Sequence, residues 1–435
     1  MKHQFTLLLI VLLAFAGNTG AQENHNPIDT LSTYVQVLNT NVVGLQKLKI
    51  SGYYQFQYQK ADSMGAKSFS GGDFDPKLDN RFSVRRGRVK FAYAGNRSNY
   101  VIQFDVTEKG LAIKDAYMNF TDPWLEAFTV TGGVFNKPFG YEIVYSSSQR
   151  ESPERARFTQ TLFPGERDLG AMLTFQMPKA SPLSFIKVDA GYFAGNGTNP
   201  EFDKKKDFIG HIGIVRTAFY ETIRYGVGLS YYNGGVYQGT KNVYEMAEVG
   251  GVNVFSKLAA DTTVGTFQKR EYKGVDAQVT IETVVGLTTL RGEYVMGDQS
   301  GQAKTSTSPT TDFTKVTAPA TVPDGYNRKF NGGYVYFVQS IARTPITLVA
   351  KYDFYDPNTK VKGDEVGKTA TGQKATNAAD LKYTTLGLGA VVALSNNVKV
   401  IGYYDMVTNE KSKNLSGYTK DLKDNVFTLR LQYKF

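Results

Sequence analysis

The sequence predicts an all-β fold, a 16-stranded antiparallel transmembrane β-barrel with one loop folded into its lumen and a short N-terminal periplasmic helix. Three observations carry that expectation. From Lys47 onward apolar residues recur with period two, the spacing of a strand with one apolar and one polar face. The connections between these segments run long, short, long, short, as in a membrane barrel with tight periplasmic turns and long extracellular loops. The final segment, Asn425–Phe435, places Phe427, Leu429, Leu431, Tyr433 and Phe435 on one face and Thr428, Arg430, Gln432 and Lys434 on the other. It closes on an aromatic residue, as the last strand of an outer-membrane barrel does.

In chain order, Met1–Ala21 has a basic start (Lys2, His3), an apolar core from Phe5 to Phe15 and small residues at Thr19-Gly20-Ala21. These are the parts of a secretory signal peptide cut before Gln22, too short to be a membrane span. Residues 22–46 predict a periplasmic leader. Ile28, Leu31, Val35, Leu38, Val42 and Leu45 are spaced by three and four, a heptad-like seam. Such a helix either bundles with copies from neighbouring subunits or packs alone beneath the barrel.

The barrel is expected over residues 47–435. Its first eight strands are Lys47–Lys60, Arg81–Ala94, Asn99–Val106, Ala112–Phe120, Ala127–Lys137, Arg167–Met177, Leu183–Ala194 and Asp207–Tyr220. The second eight are Thr222–Tyr237, Thr266–Thr283, Val285–Asp298, Arg328–Ala342, Pro345–Asp356, Leu381–Leu394, Asn396–Asn409 and Asp424–Phe435. Most exceed the roughly 9–11 residues that cross a bilayer at a tilt. Of the connections on the long side, only Thr107–Leu111 is short.

Composition narrows the function. The chain has no Cys, which excludes a disulfide scaffold, and beyond the signal no apolar run reaches the roughly 18–20 residues of a membrane helix. Nucleophilic catalysis generally uses a His base, and past the signal only His25 and His211 are present. With no metal-ligand spacing and no phosphate-binding glycine loop, neither an enzyme nor a cofactor is expected. The rival to a channel is a plugged barrel in which the long loops Gln238–Gly265, Gln299–Asn327 and Pro357–Asp380 serve surface binding or adhesion.

Charge placement points to a pore. Val89, Phe91 and Tyr93 share one parity and face lipid, so Arg86, Arg88 and Lys90 form a basic column on the lumen side. The same sorting turns Lys137, Lys187, Arg224, Arg270, Arg291, Lys351, Lys399, Arg430 and Lys434 inward, together with the acids Asp105, Asp115, Asp189, Asp276, Glu293, Asp353 and Asp405. The stretch Asn136–Gly170 is about thirty residues long between two strands, longer than an ordinary structureless connection. It is rich in aromatic and apolar residues and carries Arg150, Arg155, Arg157 and Arg167. We expect it to fold into the lumen and narrow the pore, with Glu151 and Glu154 as counter-charges to Arg155 and Arg157. The formal surplus of ten positive charges and the rigid, forked guanidinium favour anions.

Four segments carry a resemblance to a known family. They are Phe82–Tyr93 (FSVRRGRVKFAY), Tyr100–Val106 (YVIQFDV), Ile113–Phe120 with Val134–Gly140 (IKDAYMNF, GVFNKPFG), and Ser146–Leu173, which holds SSSQRESPERARF and PGERDLGAML. In these blocks the chain resembles the phosphate-selective porins O and P. The resemblance implies a trimer of sixteen-stranded barrels in the outer membrane that passes small anions, phosphate or pyrophosphate among them, by passive diffusion. On matching positions it implies loop residues Arg150, Arg155 and Arg157, with Ser146, Ser147 and Ser148 as hydrogen-bond donors. The wall residues it implies are Arg86, Arg88, Lys90 and Lys137.

Overall fold

The computed structural model describes residues 46–435 apart from 219–221, 240–241, 259–263 and 310–323, together with Val35 and Gly44. The predicted signal peptide and nearly all of the leader lie outside the described residues. The chain divides into two units, Met1–Leu48 and Lys49–Phe435. In the first, Val35, Gly44 and Gln46 are helical.

The second unit is a closed barrel. Its strands are β1 (Leu48–Ala61), β2 (Asn80–Ala94), β3 (Ser98–Thr107), β4 (Gly110–Thr121), β5 (Phe128–Asn136), β6 (Arg167–Gln176), β7 (Ile186–Phe193), β8 (Asp207–Ala218) and β9 (Ile223–Tyr237). A hairpin of β10 (Val243–Val249) and β11 (Val252–Lys257) follows. The wall resumes with β12 (Phe267–Thr283), β13 (Gly286–Gly301), β14 (Gly325–Ser340), β15 (Ile346–Asp356), β16 (Tyr383–Ala393), β17 (Val398–Asn409) and β18 (Val426–Lys434). β9 pairs directly with β12, and β1 pairs with both β2 and β18, so sixteen of the eighteen strands close the ring. Every wall strand lies within three residues of its expected ends.

Alternation sorts the side chains as expected. In β1 Tyr53, Gln55, Gln57 and Gln59 are buried on the lumen side, whereas Tyr54 and Phe56 are exposed on the outside. At the closing seam Gln55, Gln57 and Gln59 face Gln432, Arg430 and Thr428. Each pair is hydrogen-bonded, at 2.7 Å for Gln55–Gln432, 3.0 Å for Arg430–Gln57 and 3.0 Å for Gln59–Thr428. The outer surface carries Tyr93, Tyr100, Met118, Leu173, Leu229 and Leu431 exposed, an apolar band suited to lipid. Among the described residues no helix is long and apolar enough to cross a membrane.

Two local features depart from the expectation. The connection Gln238–Gly265 is not structureless, because β10 and β11 pair within it and β10 adds three residues in parallel to β14. Gly250 and Gly251 turn that hairpin at φ 60° and 76°, the two successive positive values that a tight primed turn requires. The second departure is in β2. Phe82 points outward, yet Arg85 and Arg86 both reach the same loop carboxylate. Phe82 and Arg86 share parity but lie on opposite faces, so the alternation of β2 breaks between them, and Arg85 reaches the lumen-side carboxylate.

The short turns are built tightly. Between β4 and β5 the Asp122 carboxylate accepts the backbone N–H groups of Trp124 and Leu125 at 3.0 and 2.7 Å, and of Ala127 and Phe128 at 2.9 Å each. It thereby holds Glu126 at φ 52°. Those bonds, that of Phe128 first, bring the Asp122 carboxyl down to about 2. Because the folded value is depressed, the stabilisation is fully present above the unfolded value of roughly 3.9 and is lost as pH falls through about 2. Wild type should therefore exceed Asp122→Asn in stability above pH 4, with the gap closing towards pH 2, in urea unfolding of the detergent-solubilised barrel.

Candidate pore constriction

Residues between Lys137 and Glu166 leave the wall after β5, cross the lumen and return to β6. One face of this inserted loop is apolar. Phe139, Ile143, Phe158, Leu162 and Phe163 are buried in a core shared with Tyr232, Tyr272, Val295, Phe330 and Tyr334 of the far wall. Ring centroids lie 4.9 Å apart for Phe139–Phe163, 5.6 Å for Phe163–Tyr272 and 6.2 Å for Phe158–Tyr334. Each buried Phe contributes about 1.5–3 kcal/mol. Wall glycines admit the loop: a Cβ on Gly274 would lie 2.9 Å from the Phe139 ring, and one on Gly332 would lie 2.7 Å from the Phe158 Cβ. Helix α1 (Arg157–Leu162) forms within the loop. Glu142 accepts the Ala156 N–H at its start, 3.0 Å away, and the Thr159 hydroxyl at 2.6 Å.

The other face is polar and docks against β1, β2, β17 and β18. Ser147 Oγ lies 2.5 Å from Tyr53 Oη, Gln432 donates to the Ser148 carbonyl at 2.9 Å, and Arg430 donates to the Pro153 carbonyl at 2.7 Å. At the centre Glu154, 5% exposed, receives Arg85 at 2.7 and 2.8 Å, Arg86 at 2.9 Å and Arg430 at 2.9 Å. Burial would raise this carboxyl. Arg85, Arg86, Arg430 and Arg150 outweigh burial and hold it well below the usual carboxylate range.

The predicted site residues take different places around this clamp. Arg86 is one of its jaws and also donates to Gln55 at 3.0 Å. Arg88 pairs with Asp105 at 3.4 Å and donates to Ser147 at 3.3 Å. Lys137 pairs with Asp168 at 3.3 Å. Arg150 spends its donors on the loop's own carbonyls, Ser152 at 3.3 Å and Pro153 at 3.1 Å. Arg155 bonds the Glu142 carbonyl at 3.0 Å and pairs with Glu166; burial brings its guanidinium down to about 10. Arg167 pairs with Asp115 at 3.0 Å and Glu166 at 2.6 Å. Arg157 lies between the rings of Phe69 and Tyr383, 4.3 and 3.9 Å from their centroids. Lys90 forms no ion pair with any described residue.

The counter-charges differ from those the local sequence suggests. Glu154 turns to wall arginines and Glu151 pairs with Arg291, while Arg155 takes Glu166 from the loop's far end. Arg85, Gln55 and Gln57 were missed as lumen groups. The alternation of β1 could have found the glutamines, but the break in the alternation of β2 that admits Arg85 is visible only in the folded chain.

Two cavities flank the loop. One of about 230 Å3 opens towards the rim where β1 begins and β18 ends, the short-turn rim. It is lined by Arg88, Lys90, Arg155, Arg167 and Lys434 with a single acid, Asp115, and by Tyr53, Tyr145 and Ser146. The other, of about 310 Å3, lies under the long loops and is lined by Phe69, Arg157, Ser306, Tyr355, Tyr383 and Tyr418 among others.

With the barrel and its inserted loop in view, comparison with solved structures places the fold. The chain is similar to Pseudomonas putida OprB, with TM-score 0.56 and 11% identity over 92% of this chain and 97% of that one. It is also similar to Salmonella typhi OmpF, at TM-score 0.52 and 11% identity over 89% and 97% of the two chains. An anion-selective porin from Comamonas acidovorans matches at TM-score 0.51 and 11% identity over 89% and 99%. The fold is that of the outer-membrane porins. No family model matches the chain, and no curated protein matches it.

The clamp should hold the loop in place. Glu154→Ala leaves three arginines without their shared carboxylate, and breaking a buried pair from one side costs about 3–5 kcal/mol. Urea unfolding of the barrel in detergent should show a loss of that size; a loss below about 1 kcal/mol would mean that the clamp does not secure the loop.

Proposed function

We propose that the chain is an outer-membrane porin through which small hydrophilic solutes diffuse passively, anions in preference to cations, as a homotrimer. The observation that carries this reading is the cavity on the short-turn side of the loop, where five cations face one carboxylate. Three of the five, Arg88, Arg155 and Arg167, are tied to acids. Lys90 and Lys434 form no ion pair with any described residue. These two supply the uncompensated field, and the arginines supply fixed N–H donors beside the path.

The Comamonas acidovorans neighbour is an anion-selective porin, which supports the same preference here. The resemblance to the phosphate-selective porins O and P supports phosphate or pyrophosphate as a physiological solute, with Arg86, Arg88, Lys90, Lys137, Arg150, Arg155, Arg157 and Arg167 along the anion pathway. Cavities on both faces of the loop support a channel over a plugged barrel acting in adhesion. The reading involves no catalysis and no cofactor.

A charge about 4 Å from a passing ion in water contributes about 1 kcal/mol, a factor of roughly five in a permeability ratio. Lys90→Ala combined with Lys434→Ala should therefore lower the anion-to-cation ratio severalfold, read from the reversal potential in planar bilayers under a KCl gradient. Wild-type channels that show no anion preference would overturn the reading.

A further inference from the structure

Arg157 stands apart from the other loop arginines. It is 8% exposed, yet its guanidinium forms no ion pair and donates no hydrogen bond to any described residue, and its Nε is buried without a partner. The backbone N–H of Arg157, not its side chain, meets Asp353 at 3.3 Å. Of the acids around it, Asp353 is held by Lys351 at 3.1 Å and Asp73 by Lys67 at 3.1 Å; Asp424 forms no ion pair with Arg157. Buried cations in proteins are paired or hydrogen-bonded, so a bare one facing a cavity marks a place where a ligand completes the set.

The cavity defines that ligand. Phe69 and Tyr383 lie against the guanidinium, which leaves its edge, where the N–H groups point, as the approach for an anion. The lining is half aromatic or apolar, Tyr355, Leu381 and Tyr418 among it, and half polar, with hydroxyls such as Thr161 and Ser306 and the charged side chains of Lys67, Asp73 and Lys304. A volume of about 310 Å3 is at the small end of ligand pockets. The aromatic and apolar half favours burial of carbon, and the Asp73 carboxylate in the lining opposes a dianion more than a monoanion. One guanidinium matches one carboxylate in a two-point fork.

We propose that this chamber under the long loops is a docking site for a small organic monocarboxylate with an aromatic or other apolar body, its carboxylate set against Arg157. The inference deepens the porin reading and rests on it for its physiological meaning: such acids would be gathered at the outer mouth before they pass the loop.

Calorimetric titration of the full barrel in detergent tests the site without requiring conduction, with benzoate, acetate, inorganic phosphate and benzyl alcohol as probes. Benzoate should bind about tenfold more tightly, or better, than acetate or phosphate, with no saturable binding of benzyl alcohol. Arg157→Gln should weaken benzoate at least about tenfold. Equal binding of benzoate and benzyl alcohol, tighter binding of phosphate, or unchanged benzoate affinity in Arg157→Gln would each overturn the proposal. Should that variant fail to fold, the four-probe series on wild type decides alone. Reversal potentials from the same preparation separate the two readings. Benzoate binding without anion preference removes the selectivity reading and keeps the site; anion preference without benzoate binding removes the site.

Discussion

The structure of the lumen depends on one carboxylate. Glu154 is drawn from the middle of a long loop onto Arg85, Arg86 and Arg430, which come from β2 and β18 on either side of the strand that closes the barrel. A buried carboxylate with a single partner gains little net stability, since desolvation offsets the attraction. Three guanidinium groups and a full set of hydrogen bonds change that balance and fix the loop's polar face against the wall. The same contact consumes positive charge. Most of the arginines that look like selectivity groups in the sequence are neutralised, whereas Lys90, Lys434, Arg150 and Arg157 form no ion pair with any described residue.

The loop is two-faced, and each face has its own physics. Its aromatic residues bury against a lumen wall in which glycines at 274 and 332 make room, so that side is a small hydrophobic core inside a water-filled barrel. Its hydroxyls and carbonyls face the glutamine and arginine ladder of β1 and β18. The apolar side supplies non-directional stabilisation; the polar side sets register, because hydrogen bonds fail when displaced by an ångström. Together they divide the lumen into two chambers of different character. The lower sets five cations against one acid, and the upper combines aromatic rings with Arg157, Lys67, Lys304 and Asp73.

Much of the fold is legible in the sequence because a barrel strand announces itself locally. Period-two alternation placed all sixteen wall strands, and parity assigned Arg86, Arg88 and Lys90 to the lumen without any knowledge of neighbours. What escaped is whatever depends on residues distant in the chain. The alternation of β2 breaks between Phe82 and Arg86 and admits Arg85, and the hairpin turned by Gly250 and Gly251 hides in a stretch read as open loop. Ion pairing followed the same rule. Adjacency suggested Glu151 and Glu154 for Arg155 and Arg157, whereas Glu154 meets Arg430, 276 residues away. The candidate site was thus legible as a set of residues and not as a pairing scheme, and pairing decides which charges act.

The central claim is that solute passes along the polar face of a docked loop, beside the cationic chamber. The chain has no Cys, so a single thiol introduced at Ser146, which lines that chamber, reports without ambiguity. Modification of Ser146→Cys with an anionic thiosulfonate should reduce single-channel conductance and shift the reversal potential towards cation preference. Complete modification with no change in either quantity would contradict the account and place the ion path elsewhere.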